Sequence, residues 1–300
     1  MSNVMPVIEQ ILMLLVITAI GYVTRRRKIM TDGVIKGVNS LLLRVAWPCM
    51  ILMTIQKDCT EEQAGSFWIV LGVSCAVLAA AMGALYLVGI GRGKKSSVFN
   101  VLSVLPNAGF VGMPIIKAVY GDEGILFLAA FLVGFNLVLW TLGVALFEKI
   151  TVRSLHNLLN PGLIASVAGM ILFIFRIRLP HFLSSTVTQL GSLTTPVSML
   201  LLGARLDQIT KEKLLCTKLW ASCALKLLVF PLLTLLLMRL LGIEPVLTGI
   251  TVLAMAMPSA SVAQLLAEKY EDDIGLAVAG VSASMMICIL TIPLVLICVG

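Results

Sequence analysis

The chain has 300 residues, of which 59% are hydrophobic and only 12% charged, and its mean hydropathy is +1.06. A water-soluble domain carries roughly a quarter of its residues as charges, so this composition excludes one that faces water on all sides. The net charge is +7, but Lys and Arg sit in short runs between apolar stretches, which is the pattern of membrane loops and not of a nucleic-acid surface.

Apolar runs long enough to cross ~30 Å of hydrocarbon predict ten helices, at 5–24, 34–56, 65–90, 98–120, 124–147, 160–176, 182–204, 214–242, 246–267 and 274–298. In the first, the charges Arg25 to Lys28 follow the apolar run, so it reads as a membrane helix and not a cleavable leader. Loops after odd-numbered helices hold fourteen Lys and Arg residues, whereas those after even-numbered helices hold three: Lys57, Arg176 and Arg178. The excess of positive charge in cytoplasmic loops then sets both termini outside the cell membrane. Seven cysteines occur without a CxxC pair, and most lie inside apolar runs, where packing is the simplest reading.

The second predicted helix carries Trp47-Pro48 in its middle and the seventh carries Thr195-Pro196. The fourth reads VLPNAGFVGMPIIKAVYGDEG from Val104, and the ninth reads AMPSASVAQLLAEKYEDDIG from Ala256. Aligning Pro106 with Pro258 brings Lys117 onto Lys269 without a gap, and both stretches continue into Tyr and acidic residues before another apolar helix. Two five-helix halves follow, 1–150 and 151–300. Because five is odd, the second half enters the membrane the other way up, an inverted repeat of the kind many secondary carriers use. The chain is thus expected to be an all-α membrane protein without a soluble domain.

The fourth helix concentrates Pro106, Asn107, Gly109, Gly112 and Pro114 in mid-span. Proline removes a backbone donor and clashes with the preceding turn, while glycine frees the backbone, so a continuous helix is not expected. Groups released this way cannot face lipid and must line a polar cavity or be buried in protein. The ninth helix shows a milder version in Pro258, Ser259, Ser261 and Gln264. Two breaks meeting at mid-membrane would aim half-helix N-termini at an anion and leave carbonyls for a cation or water. The plainer reading is a pair of kinks satisfied by neighbouring helices.

These stretches resemble the auxin efflux carrier family, which includes bacterial permeases and the plant auxin exporters. Asn107-Ala108-Gly109-Phe110-Val111-Gly112-Met113-Pro114 is similar to that family's Asn…Gly-x-Pro element, and Pro258…Ala267-Glu268-Lys269-Tyr270 to its second broken helix. The resemblance spans the chain and includes Pro48; where plant relatives carry a second proline in the ninth helix, Ala263 stands here. It implies a fold related to the bile-acid sodium symporters, with a scaffold domain and a transport domain whose fourth and ninth helices cross. Asn107, Gly112 and Pro114 would belong to one arm, and Pro258, Ser261 and Gln264 to the other. Bacterial relatives are associated with small carboxylates.

Among other polar residues in the spans, Lys226 is a candidate to neutralise a substrate carboxylate, with snorkelling or a buried neutral amine as the competing reading. Arg44 lies one turn before Pro48, on the cytoplasmic half, and Lys117 near the outer end reads as a snorkelling side chain. Glu9 and Glu268 lie toward helix ends, and Asn136, Ser282 and Ser284 read as polar lining or as interhelical hydrogen bonds. His156 and His181 fall at helix ends, and no nucleophile–base motif occurs, so an enzyme is not expected.

The expectation is a secondary carrier working by alternating access. Its partners are a small organic anion, the lipid bilayer and, for a homodimer, a second copy. The anion would sit among Asn107, Gly109, Gly112, Pro114, Pro258, Ser259, Ser261, Gln264 and Lys226. Whether sodium or a proton couples to it stays open, as does a sodium symporter of the bile-acid type. A membrane sensor or scaffold that transports nothing is the reading from another class.

Overall fold

The computed structural model of the chain describes residues 4–55, 61–88, 97–147, 161–270 and 272–299. Lys57, Arg92, Lys94, Lys95, Lys149, Arg153, Cys59, His156, Glu271 and the midpoint linker at 148–159 lie outside the described residues. Among the described residues regular structure is helical, and a lone antiparallel bridge joins Pro106 to Ser259.

In chain order the helices are α1 (Val4–Arg26), α2 (Asp32–Leu41), α3 (Trp47–Ile55), α4 (Glu61–Leu87), α5 (Ser97–Val104), α6 (Met113–Val138), α7 (Pro161–Ile174) and α8 (His181–Ser192). They continue with α9 (Thr194–Ala204), α10 (Lys211–Leu214), α11 (Thr217–Ala224), α12 (Phe230–Leu240), α13 (Pro245–Ala256), α14 (Val262–Lys269) and α15 (Ile274–Val299). Wider π-type turns join α2 to α3 at Leu42–Ala46 and α11 to α12 at Leu225–Val229. Each lies just ahead of a proline, Pro48 or Pro231, whose ring cannot fit against a tight preceding turn and supplies no N–H to it.

Five stretches of the described chain are long and apolar enough to cross a membrane: Asp32–Thr54, Gln63–Leu87, Ala108–Gly143, Thr217–Leu240 and Ile274–Val299. Ala108–Gly143 has 36 residues, far more than the ~20 a single crossing needs. Gly121 resolves the excess: at φ 66° and ψ −153° it folds the stretch back, a conformation that other residues adopt only under strain. The apolar helices α7 and α13 are shorter. Residues Leu247 to Ala256 of α13 are all buried, as a helix at the centre of a bundle requires.

The helices pack in two groups. In one, α1 lies along α9, and α3 lies against α7 and α8. Glycine permits the first approach, since a Cβ on Gly203 would stand 1.9 Å from the carbonyl oxygen of Thr18, and one on Gly21 would stand 2.2 Å from that of Leu200. In the other group, α4 packs on α6, α13 packs on α6, α12 and α15, and α5 packs on α11 and α14. The groups meet mainly where α3, α7 and α9 touch α6 and the turn leading into it. Ion pairs gather at one end: Arg25 holds Asp32 at 2.8 Å and Asp207 at 3.1 Å, Lys213 pairs with Asp273, and the buried Arg205 reaches both carboxylate oxygens of Glu268 at 2.6 Å.

Candidate functional site

Pro106 has no N–H, so the carbonyl of Leu102, four residues earlier, loses its helical donor and α5 ends at Val104. The chain runs on without helix from Leu105 to Asn107, and Pro106 bridges antiparallel to Ser259 in the segment between α13 and α14. Two backbone bonds join the segments: the Asn107 N–H donates to the Pro258 carbonyl at 2.7 Å, and the Ala260 N–H donates to the Leu105 carbonyl at 2.9 Å. Below the backbone, the Asn107 side-chain amide donates to the Ser261 hydroxyl at 3.1 Å.

Carbonyls freed by these breaks are met by side chains from other helices. The Ser259 hydroxyl donates to Leu102 at 2.8 Å, and the Ser259 N–H turns to the Ser284 hydroxyl at 3.0 Å. That turn deprives the Met255 carbonyl of its helical donor, and Lys226 Nζ donates to it at 2.6 Å. Pro114 likewise leaves the Phe110 carbonyl open, and the Thr195 hydroxyl lies 3.4 Å from it. Buried backbone groups must find partners, and each of these does so across helices, not along one.

The ninth-helix break is complete and not mild: α13 stops at Ala256 and α14 begins at Val262. Counting breakers locally understates it, because the segment is also held open by its pairing with Leu105–Asn107.

Beside the pairing lies a cavity of about 10 Å³, room for about one water molecule. Its walls include Trp47 and Met50 from α3, Asn107, Phe110, Asn136 and Ser261. The Trp47 and Phe110 rings meet edge to face with centroids 5.0 Å apart. The cavity therefore sits where the first packing group, through α3, faces the second.

Of the residues singled out from sequence, Pro106, Asn107, Gly109, Asn136 and Ser261 line this cavity. Gly112 is buried against Met257, whose Cγ would lie 3.0 Å from an added Cβ. Pro258 belongs to the paired segment, the Ser259 hydroxyl is engaged by Leu102, and Pro114 is half-buried a turn further on. Gln264 and Lys226 are buried but line neither wall; the Gln264 Oε1 has no hydrogen-bond partner among the described residues. Arg44 and Glu9 are exposed, and Lys117 is exposed beside Asp122 at 3.7 Å. Trp47, Thr195 and Arg205 were not singled out as site residues. The two tryptophan–proline and threonine–proline pairs marked their positions, but nothing in the sequence tells which way their side chains turn.

The described cysteines are free, and among the described residues no group of three His, Cys, Asp or Glu side chains could hold a metal. Over residues 6–296 the sequence matches the family described as "Membrane transport protein". The chain belongs to that membrane transport protein family. The auxin efflux carriers are of the same family, so the resemblance carried by Asn107–Pro114 and Pro258–Tyr270 holds. Two relatives of this membrane transport protein are archaeal and are themselves described only as uncharacterized transporters. One, from Methanocaldococcus jannaschii, is 26% identical over 95% of this chain and 96% of its own length. The other, from Methanothermobacter thermautotrophicus, is 24% identical over the same shares of the two chains. Family and apolar helices together make it an integral membrane protein that transports.

Proposed function

We propose that this membrane transport protein is a secondary carrier of small organic anions, working by alternating access with the substrate held beside the paired breaks. The observation that carries the reading is the position of the cavity. It lies against the Leu105–Asn107 and Pro258–Ala260 pairing and between two groups of helices. A site at such a seam is exposed to either side when one group moves against the other. On this reading the halves 1–150 and 151–300 are inverted repeats, both termini face outward, and the protein sits in the plasma membrane. The small volume corresponds to an occluded conformation that widens to admit substrate.

Asn107 is the residue on which the reading depends most. Its amide contacts Ser261 across the pairing and lines the cavity. In proteoliposomes, Asn107→Ala is expected to reduce carboxylate uptake by at least about 10-fold, the effect of one well-placed hydrogen bond to a charged group. Uptake equal to wild type from a folded Asn107→Ala protein overturns the proposal. Exchange of sodium for potassium in the same assay decides whether sodium couples to the anion.

A further inference from the structure

We propose that the cavity selects anions carrying a hydrogen-bond donor of their own, a hydroxyl or N–H close to the carboxylate, and that Asn136 reads that donor. The proposal rests on the cavity being the substrate site.

Asn136 is 1% exposed and lines the cavity. Its Nδ2 donates to the Leu132 carbonyl at 2.7 Å. That contact fixes the orientation of the amide, because reversing it would set Oδ1 against another acceptor. Oδ1 is therefore the free end, and it has no partner among the described residues. The second open group is Trp47 Nε1, a donor only, on a side chain 5% exposed that lines the same cavity. Asn107 also lines the cavity, with one N–H of its Nδ2 given to Ser261 and the second left for a ligand. The cavity thus presents an acceptor without a partner, Asn136 Oδ1, together with the donor Trp47 Nε1, set among apolar side chains such as Met50 and Phe110.

A bare carboxylate has lone pairs and no hydrogen to give. It can accept from Trp47, but it leaves Asn136 Oδ1 buried and facing other acceptors. A hydroxy acid satisfies both groups at once. Sites built around a buried polar atom reject analogues that lack the matching group, and the size of that effect predicts a preference of about 10- to 100-fold.

The test uses purified full-length protein and two matched pairs, lactate with propionate and 3-hydroxybutyrate with butyrate. Binding is read from ligand-dependent thermal stabilisation, and transport from competition in proteoliposomes. Wild type should favour the hydroxy member of each pair by about 10- to 100-fold. Asn136→Leu should bring the two members within about 3-fold by weakening the hydroxy acid alone, since an apolar group of similar size rewards neither. Trp47→Phe, which keeps a ring and removes the N–H, should weaken both members alike. Equal affinity within the pairs in wild type, or a preference that survives Asn136→Leu, overturns the proposal while leaving the anion site standing. If no member of either pair binds, the anion reading falls with it. The wild-type ratio decides the matter even where the Asn136 variant does not fold.

Discussion

The hydroxyl of Ser259 donates to the carbonyl of Leu102, 157 residues earlier, at 2.8 Å. Pro106 leaves that carbonyl without its helical donor, so the serine of one break completes the helix interrupted by the other. Ser259→Ala should leave a buried acceptor unmatched and lower stability by about 1–3 kcal/mol. The measurement is unfolding of the purified protein in detergent, and a wild-type melting profile would show that the carbonyl finds another partner.

Lys226 acts on Met255 in the same manner through its amine, fully buried, and with no carboxylate in salt-bridge reach among the described residues. Burying a lysine amine against a single carbonyl carries a desolvation penalty, large for the charged form. Lys226→Met, of similar length and no charge, should therefore fold with stability within about 1 kcal/mol of wild type or above it. Lys226→Ala also empties the site and should lose about 2–5 kcal/mol. A loss beyond about 2 kcal/mol in the methionine variant would mean that the carbonyl cap outweighs the desolvation.

Arg205 and Glu268 join the end of α9 to the last turn of α14, with side chains 6% and 20% exposed. Truncating either one strands a largely buried charge, and Arg205→Ala or Glu268→Ala should each destabilise by about 2–4 kcal/mol. The double variant should be less damaged than the two losses added together, giving a coupling of about 1–3 kcal/mol in a double-mutant cycle. Additive losses would mean that the two residues do not act as a pair.

Gly203 lets α9 lie against α1, whereas a Cβ at Gly72 in α4 would meet nothing within 4 Å. Gly203→Val should force the helices apart and lower stability by about 3 kcal/mol or more. Gly72→Ala should be neutral or stabilising by up to about 1 kcal/mol, as is usual for glycine replaced within a helix. Comparable losses at both sites would contradict the close approach.

Much of the architecture was legible because its causes are local. The run at 274–298 is found at Ile274–Val299 and the one at 5–24 at Val4–Arg26. Pro106 and Pro258 mark their breaks because a missing N–H acts on the same chain, four residues away. What stayed hidden depends on neighbours. Nothing within a few residues of Lys226 points to Met255, and Arg205 reads as one more loop cation until Glu268 is brought beside it. The eighth run, expected at 214–242, is found at Thr217–Leu240, with a wider turn at Leu225–Val229 that its Pro231 explains but its apolar pattern does not show. Gln264 lies in the arm where a polar residue was expected, yet its buried side chain is not among the walls of the cavity that Trp47 helps to build.

The cross-chain capping also bears on how the protein is made. While the ribosome is still translating the second half, the carbonyls of Leu102 and Leu105 have no Ser259 or Ala260 to receive. The early segment therefore has reason to linger beside the insertion machinery, or near the watery interface, until its counterpart emerges. A nascent chain stopped before residue 259 should remain accessible to aqueous cysteine reagents at positions near Asn107 that become closed once synthesis is finished.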